Sequence, residues 1–108
     1  MKGLGIVLTA AALALPVGAQ GQDTAAAEAL MKKSGCMKCH SVSAKKEGPP
    51  FRETAAKYKG KADAQAVLFK HLTTNPKIKV DGNEERHDSL KTKNEAEIKN
   101  VIAYILSR

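Results

Sequence analysis

Residues 36–40 read Cys-Met-Lys-Cys-His and contain both cysteines of a 108-residue chain. Two thiols two residues apart, followed at once by an imidazole, could serve four kinds of chemistry. A disulfide across so short a loop restrains the unfolded chain little and would be a poor staple. Structural zinc takes four ligands, commonly as two close pairs, and the second pair here would be His71 and His87, whose spacing is not that of a zinc finger. A thioredoxin-like redox pair belongs in a strand–helix–strand setting that this chain lacks. The remaining use is covalent capture of a haem, the C-x-x-C-H signature. Two thiols on one helical turn reach the two vinyl groups at one porphyrin edge, and the next residue then lies beneath the iron. On that reading Cys36 and Cys39 form the thioethers of one haem c, and His40 is the proximal ligand of its iron.

The start of the chain says where such chemistry would take place. One lysine, an apolar run from Leu4 to Leu15 and small residues at 17–19 follow the order of a secretory signal peptide. The run is shorter than the about 20 residues of a membrane span and is broken by Pro16. We expect a leader over residues 1–19, cleaved near Ala19 or Gln20, and a single domain over residues 20–108 exported to the periplasm. No membrane association is expected after cleavage, and the domain is expected to be a monomer. A unit this small builds a modest core and commonly depends on a metal, disulfides or a cofactor.

Charge narrows the partners. Eighteen basic against 11 acidic residues give +7, while two Phe, two Tyr and no Trp leave little to stack on bases. The excess suits steering towards an acidic redox-partner protein better than nucleic-acid readout.

Four short helices would position the motif, so the expected class is all-α. Asp23 or Thr24 can cap a first helix running to Lys33, with Ala26, Ala27, Leu30 and Met31 on one face, and Ser34-Gly35 stops it. Gly48-Pro49-Pro50 breaks the chain before a helix over Phe51 to Tyr58. Asp63 to Thr73 carries Ala64, Val67, Leu68 and Leu72 at helical spacing, and Pro76 ends it. Asn94 with Glu97 resembles a capping box for a last helix whose stripe is Ile98, Val101, Ile102 and Ile105. Between these last two helices lies a long charged connection, and no segment alternates convincingly as a strand.

With these elements in place, the sequence resembles the short bacterial class I cytochromes c over roughly Ala26 to Ser107. The resemblance is carried by GCMKCH, by KKEGPPFRETAAKYKGKADAQAVL and by EAEIKNVIAYILS. It implies the small class I cytochrome c fold, about four short helices wrapped around one covalent haem. It also implies that the carbonyl of Pro49 accepts a hydrogen bond from His40, fixing the ring's orientation and tautomer. Tyr104 matches the usual aromatic of the last helix where that helix crosses the first. Met31 falls where the first helix commonly offers an aromatic, so it is expected to be core packing. Met37 lies between the two cysteines and cannot swing to the opposite face of the haem.

One departure from the family bears on function. The family normally supplies a downstream Met as sixth ligand, and this chain has no Met after residue 37. Aligning the last helix backward places His87 within one residue of the usual Met, which makes His87 the expected distal ligand. His71 falls on the preceding helix, where the family often has a polar residue near a haem propionate. His71 as the ligand, an open iron and a Lys-ligated iron remain alternatives. A second imidazole favours ferric iron more than a thioether does and should lower the reduction potential.

The resulting expectation is a periplasmic one-electron carrier that is not an enzyme, since no constellation of catalytic acid, base or nucleophile stands out. Lys38, Lys45, Lys46, Lys77, Lys79, Lys91 and Lys93 are expected around the haem edge. The alternative is a haem-based gas or redox sensor, or a ligand-binding protein, in which His87 detaches from the iron.

Overall fold

Asp23 starts the first helix in the computed structural model, which describes residues 22–108 together with residues 2, 3, 5, 10 and 11. The leader expected over residues 1–19 lies largely outside the described residues. Among those described, no helix is long and apolar enough to cross a membrane.

Helix α1 (Thr24–Lys33) begins where the Asp23 carboxylate accepts the Ala26 N–H, and it buries Ala27 and Met31. Of the face expected for this helix, Leu30 is half-buried and Ala26 is exposed. The helix closes with the Ser34 N–H on the Leu30 carbonyl at 2.9 Å and the Gly35 N–H on that of Lys32 at 3.1 Å. Gly35 takes φ +76°, the left-handed position that glycine enters without steric cost.

Helices α2 (Phe51–Tyr58) and α3 (Ala64–Thr73) follow, burying Phe51 and Ala55, and Ala64, Leu68 and Leu72 respectively. Val67, expected on the buried stripe of α3, is 38% exposed.

Helix α4 (Glu95–Leu106) buries Ile98, Val101, Ile102, Tyr104 and Ile105. Its cap is a variant of the expected box. Asn94 Oδ1 accepts the Glu97 N–H at 3.2 Å, but the Glu97 carboxylate accepts from Thr92 Oγ1 at 2.6 Å. Thr92 Oγ1 in turn accepts the Asn94 N–H at 3.1 Å, so the loop is closed through a third residue.

The core forms where α4 crosses α1, and Met31, Val101 and Ile102 are its most deeply buried large side chains. At one end of the crossing Asn100 holds the start of α1 by both ends of its amide. Its Oδ1 accepts the Asp23 N–H and its Nδ2 donates to the Asp23 carbonyl, each at 2.8 Å. Replacing Asn100 with Ala removes both bonds and should cost about 1–2 kcal/mol. Thermal melting of the Asn100→Ala variant should show a drop of roughly 4–16 °C for a domain of this size.

The connection between α3 and α4 differs from expectation. Strands β1 (Lys77–Val80) and β2 (Asn83–Arg86) pair antiparallel, from Lys77 opposite Arg86 to Val80 opposite Asn83. The turn is Asp81-Gly82, with φ +50° and +82°, the pair of positive angles that a two-residue hairpin of matching twist requires. The apolar alternation is half-written: Ile78 and Val80 are half-buried, whereas every residue of β2 is exposed. A strand search by hydrophobic period therefore passes over it, while the Asp-Gly dipeptide announces it.

Candidate metal centre

The Cys-Met-Lys-Cys-His segment is coiled by its own backbone. Residues Cys36–Lys38 form a 3-10 turn immediately after Gly35, and the His40 N–H continues it to the Cys36 carbonyl at 3.0 Å. Both thiols and the imidazole thus leave one turn of chain. Cys36 and Cys39 are free thiols, each partly exposed. Burial raises the pKa of Cys36, with Asp88 adding to it, although its own backbone hydrogen bond opposes the rise. For Cys39, burial and then the Glu47 carboxylate, which accepts its S–H at 3.5 Å, also raise the value. Reactive redox cysteines have lowered values, so this environment is unlike theirs.

The chain then folds back beneath His40. The N–H groups of Gly48, Phe51 and Arg52 bond to the carbonyls of Cys39, Ser41 and Val42 at 2.7, 2.9 and 3.1 Å. This return brings the Pro49 carbonyl to 2.8 Å from His40 Nδ1. A carbonyl only accepts, so Nδ1 carries the proton, and in the neutral ring the lone pair is on Nε2. Phe51 stacks on the imidazole with ring centres 5.3 Å apart at 22°, and meets Tyr104 edge-on at 6.4 Å.

Gly48 is part of this cradle. A Cβ there would lie 2.5 Å from His40 Cε1, 2.8 Å from Nδ1 and 3.0 Å from the Cys39 carbonyl oxygen. Gly48→Ala should push the ring off Pro49 at a cost of about 1–3 kcal/mol. A lower melting temperature together with a perturbed Soret band would show it. A change in stability with an unaltered spectrum would place the strain elsewhere.

The other two histidines come from α3 and from the residue after β2. The rings of His40 and His87 have centres 6.1 Å apart at 53°, and His71 packs on His87 at 4.4 Å. Burial lowers the pKa of His71, with His87, His40 and Lys57 adding to it, and burial and then His40 lower that of His87 against an opposing effect of Asp88. Both rings are therefore neutral at pH 7 and keep a lone pair to donate. His87 Nδ1 is buried with no hydrogen-bond partner among the described residues. With metal–imidazole bonds of about 2 Å, two rings facing across one metal have centres about 6 Å apart. The His40/His87 pair has that separation and could hold one metal between its rings, with Cys36 and Cys39 alongside to anchor its organic frame.

Such a cradle for a thioether-linked metal, in a four-helix fold whose first and last helices cross, defines a mono-haem cytochrome c of class I. The chain belongs to the cytochrome c family, whose family model matches residues 24–108. As a member it carries one covalently bound c-type haem with its iron.

Among curated relatives it is similar to cytochrome c-551 of Pseudomonas aeruginosa, at 37% identity over 65 residues, 60% of this chain and 60% of that one. It is also similar to cytochrome c-552 of Hydrogenobacter thermophilus, at 51% identity over 45 residues, 42% of this chain and 46% of that one. The chain thus spans less than two thirds of the length of these curated relatives. Among solved structures it is similar to the class 1 cytochrome MtoD from Sideroxydans lithotrophicus ES-1. The TM-score is 0.75 at 44% identity, covering 79% of this chain and 95% of that one. Cytochrome c552 of Nitrosomonas europaea gives a TM-score of 0.58 at 28% identity, covering 74% and 96%.

The lysines distribute unevenly. Lys46 Nζ donates to the Met37 carbonyl at 2.9 Å, and Lys77 pairs with Glu84 across the hairpin at 3.2 Å. Lys32 and Lys33, absent from the set expected by sequence, join Lys38 and Lys91 around a cleft of about 440 Å³ that contains Asp88. Their signal was present as a Lys-Lys pair in the last turn of α1, one helical end away from Cys36.

Proposed function

We propose that this cytochrome is a periplasmic one-electron carrier in which Cys36 and Cys39 form the haem thioethers, His40 is the proximal ligand and His87 the distal one. The haem supplies a single redox-active iron that gains and loses one electron. The protein's part is to hold both axial imidazoles in place, keep one haem edge accessible and make no substrate bond. The observation that carries the reading is the pair of imidazoles with centres 6.1 Å apart, one fixed in tautomer by Pro49. His71, half-buried beside His87, backs the distal ring and is the residue we assign to a propionate contact.

Two nitrogen ligands place the potential below that of a His/Met relative, because a second imidazole stabilises ferric iron more than a thioether does. Encounter with an acidic redox protein uses the lysines, chiefly the group at the end of α1. Electron transfer with such a partner should slow as salt screens them over about 10 Å at 0.1 M. The protein acts as a monomer and is not an enzyme.

One observation favours a second reading, a gas or redox sensor. A histidine ligand usually donates its other N–H to an acceptor, and His87 Nδ1 has none among the described residues. A ring without that support is easier to displace. The visible spectrum of the reduced protein, recorded with and without carbon monoxide, separates the two. A low-spin spectrum that carbon monoxide leaves unchanged supports the carrier. Prompt formation of a carbonyl complex supports the sensor.

A further inference from the structure

The backbone of His87 is held far more firmly than its ring. Its N–H donates to the Pro76 carbonyl at 2.8 Å, and its carbonyl accepts from Asn75 Nδ2 at 3.0 Å. Both polar groups of its peptide backbone are thus bonded to the two residues that precede β1. The contact is reciprocated, since Arg86 Nη1 donates to the Asn75 carbonyl at 3.3 Å. Three residues further on, the Leu90 N–H donates to the Leu72 carbonyl at 3.0 Å. His87 is therefore fastened on both sides to the C-terminal end of α3, whose Leu68 and Leu72 belong to the core.

Asn75 is suited to this place twice over. Its φ of +48° is left-handed, a conformation that asparagine enters more readily than other residues with a Cβ. Its amide supplies a short side-chain N–H that reaches outward from that backbone to the His87 carbonyl. Neither property alone joins the end of α3 to the carbonyl of His87.

We infer that Asn75 is a positioning residue for the distal ligand: its amide, with the base of the hairpin, fixes the height of His87 over His40 and so keeps the sixth position closed to small molecules. This rests on the assignment of His87 as distal ligand and goes further, because it names what decides between carrier and sensor. A ring with an unpartnered Nδ1 can leave only by turning about its side-chain bonds while its backbone stays fixed. Once the backbone is released, the whole residue can swing away. Binding of carbon monoxide to a six-coordinate iron waits for that departure, so its rate reports the fastening.

The test uses the haem-loaded protein with Asn75→Gly and Asn75→Asp. Glycine keeps the left-handed backbone and removes the amide. Aspartate keeps the shape and replaces the donor with an acceptor facing the His87 carbonyl. Both variants should remain low-spin, with carbon monoxide binding to the reduced protein faster by roughly three- to tenfold, the worth of one hydrogen bond. Amide exchange at His87 should accelerate by a similar factor, which reads the clamp without reference to the iron. Rates within twofold of the parent in both variants, for ligand and for exchange, would overturn the proposal. His87→Ala serves as the separate control. If it turns high-spin while the Asn75 variants behave as the parent, the clamp fails and the ligand assignment stands. If it remains low-spin even when His71 is replaced as well, the ligand assignment itself fails.

Discussion

Replacing His87 with alanine should convert the haem from low spin to high spin. The sixth position would be left to water or to nothing, and reduced protein would take up carbon monoxide promptly. The shift follows from donor strength: two imidazoles split the iron d orbitals enough to pair the electrons, and water does not. His71 supplies the sharpest check, because its ring lies 4.4 Å from that of His87 and could move into the vacated place. A His87→Ala protein that stays low-spin until His71 is also replaced would show His71 moving in, whereas loss of the low-spin state in His71→Ala alone would transfer the ligand role to His71. His71→Ala alone should leave the spectrum low-spin. His87→Met tests the same assignment from the other side. A thioether favours ferrous iron, so the potential should rise, on the order of 0.1 V within the ~0.8 V that axial ligands span. Protein-film voltammetry of the two proteins measures it, and an unchanged potential would mean that residue 87 does not touch the iron.

The second large effect is expected at the thiols. Cys36→Ala with Cys39→Ala should give a protein whose pigment washes out in acid-acetone, whereas the parent keeps its colour through the same extraction. Each single replacement should leave one thioether and an extraction-resistant pigment with a shifted absorption band, because one vinyl group then stays conjugated to the ring. The fold should suffer as well. Cys36 packs against the same core cluster that contains Met31, Phe51 and Tyr104. A cofactor held at a thousand times its dissociation constant adds about 4 kcal/mol to a domain. Losing that much from a unit this small should collapse the helical circular dichroism or lower its melting temperature by tens of degrees. Colour that survives extraction from the double variant would end the thioether assignment.

The parts of the structure visible in advance share one property: their cause is local. The caps at Asp23 and Asn94, the stop at Gly35 and the stripe of α4 each depend on residues within a turn or two, so they can be read from neighbours in the chain. The hairpin was also local in cause, through Asp81-Gly82. Apolar alternation does not reveal it, because β2 has none. The long charged connection between α3 and α4 contains a two-stranded ribbon closed at its base.

What resisted reading depended on distant residues meeting. Gly48 looks like half of a turn dipeptide until the chain folds back and leaves no room for a Cβ beside His40. Asn75 looks like a polar residue before a proline until its amide reaches a carbonyl 12 positions on. Asn100 looks like an exposed helix residue until α1 is laid across α4.

Residue type and spacing alone thus determined the chemistry of the motif, the four helices and the absence of a downstream methionine, because each is written within a few consecutive positions. Only the tertiary structure decided how close the ring of His87 comes to that of His40, which residues bond its backbone and which lysines gather beside the first helix. Those relations join residues tens of positions apart, and no local propensity encodes the path by which the backbone brings them together.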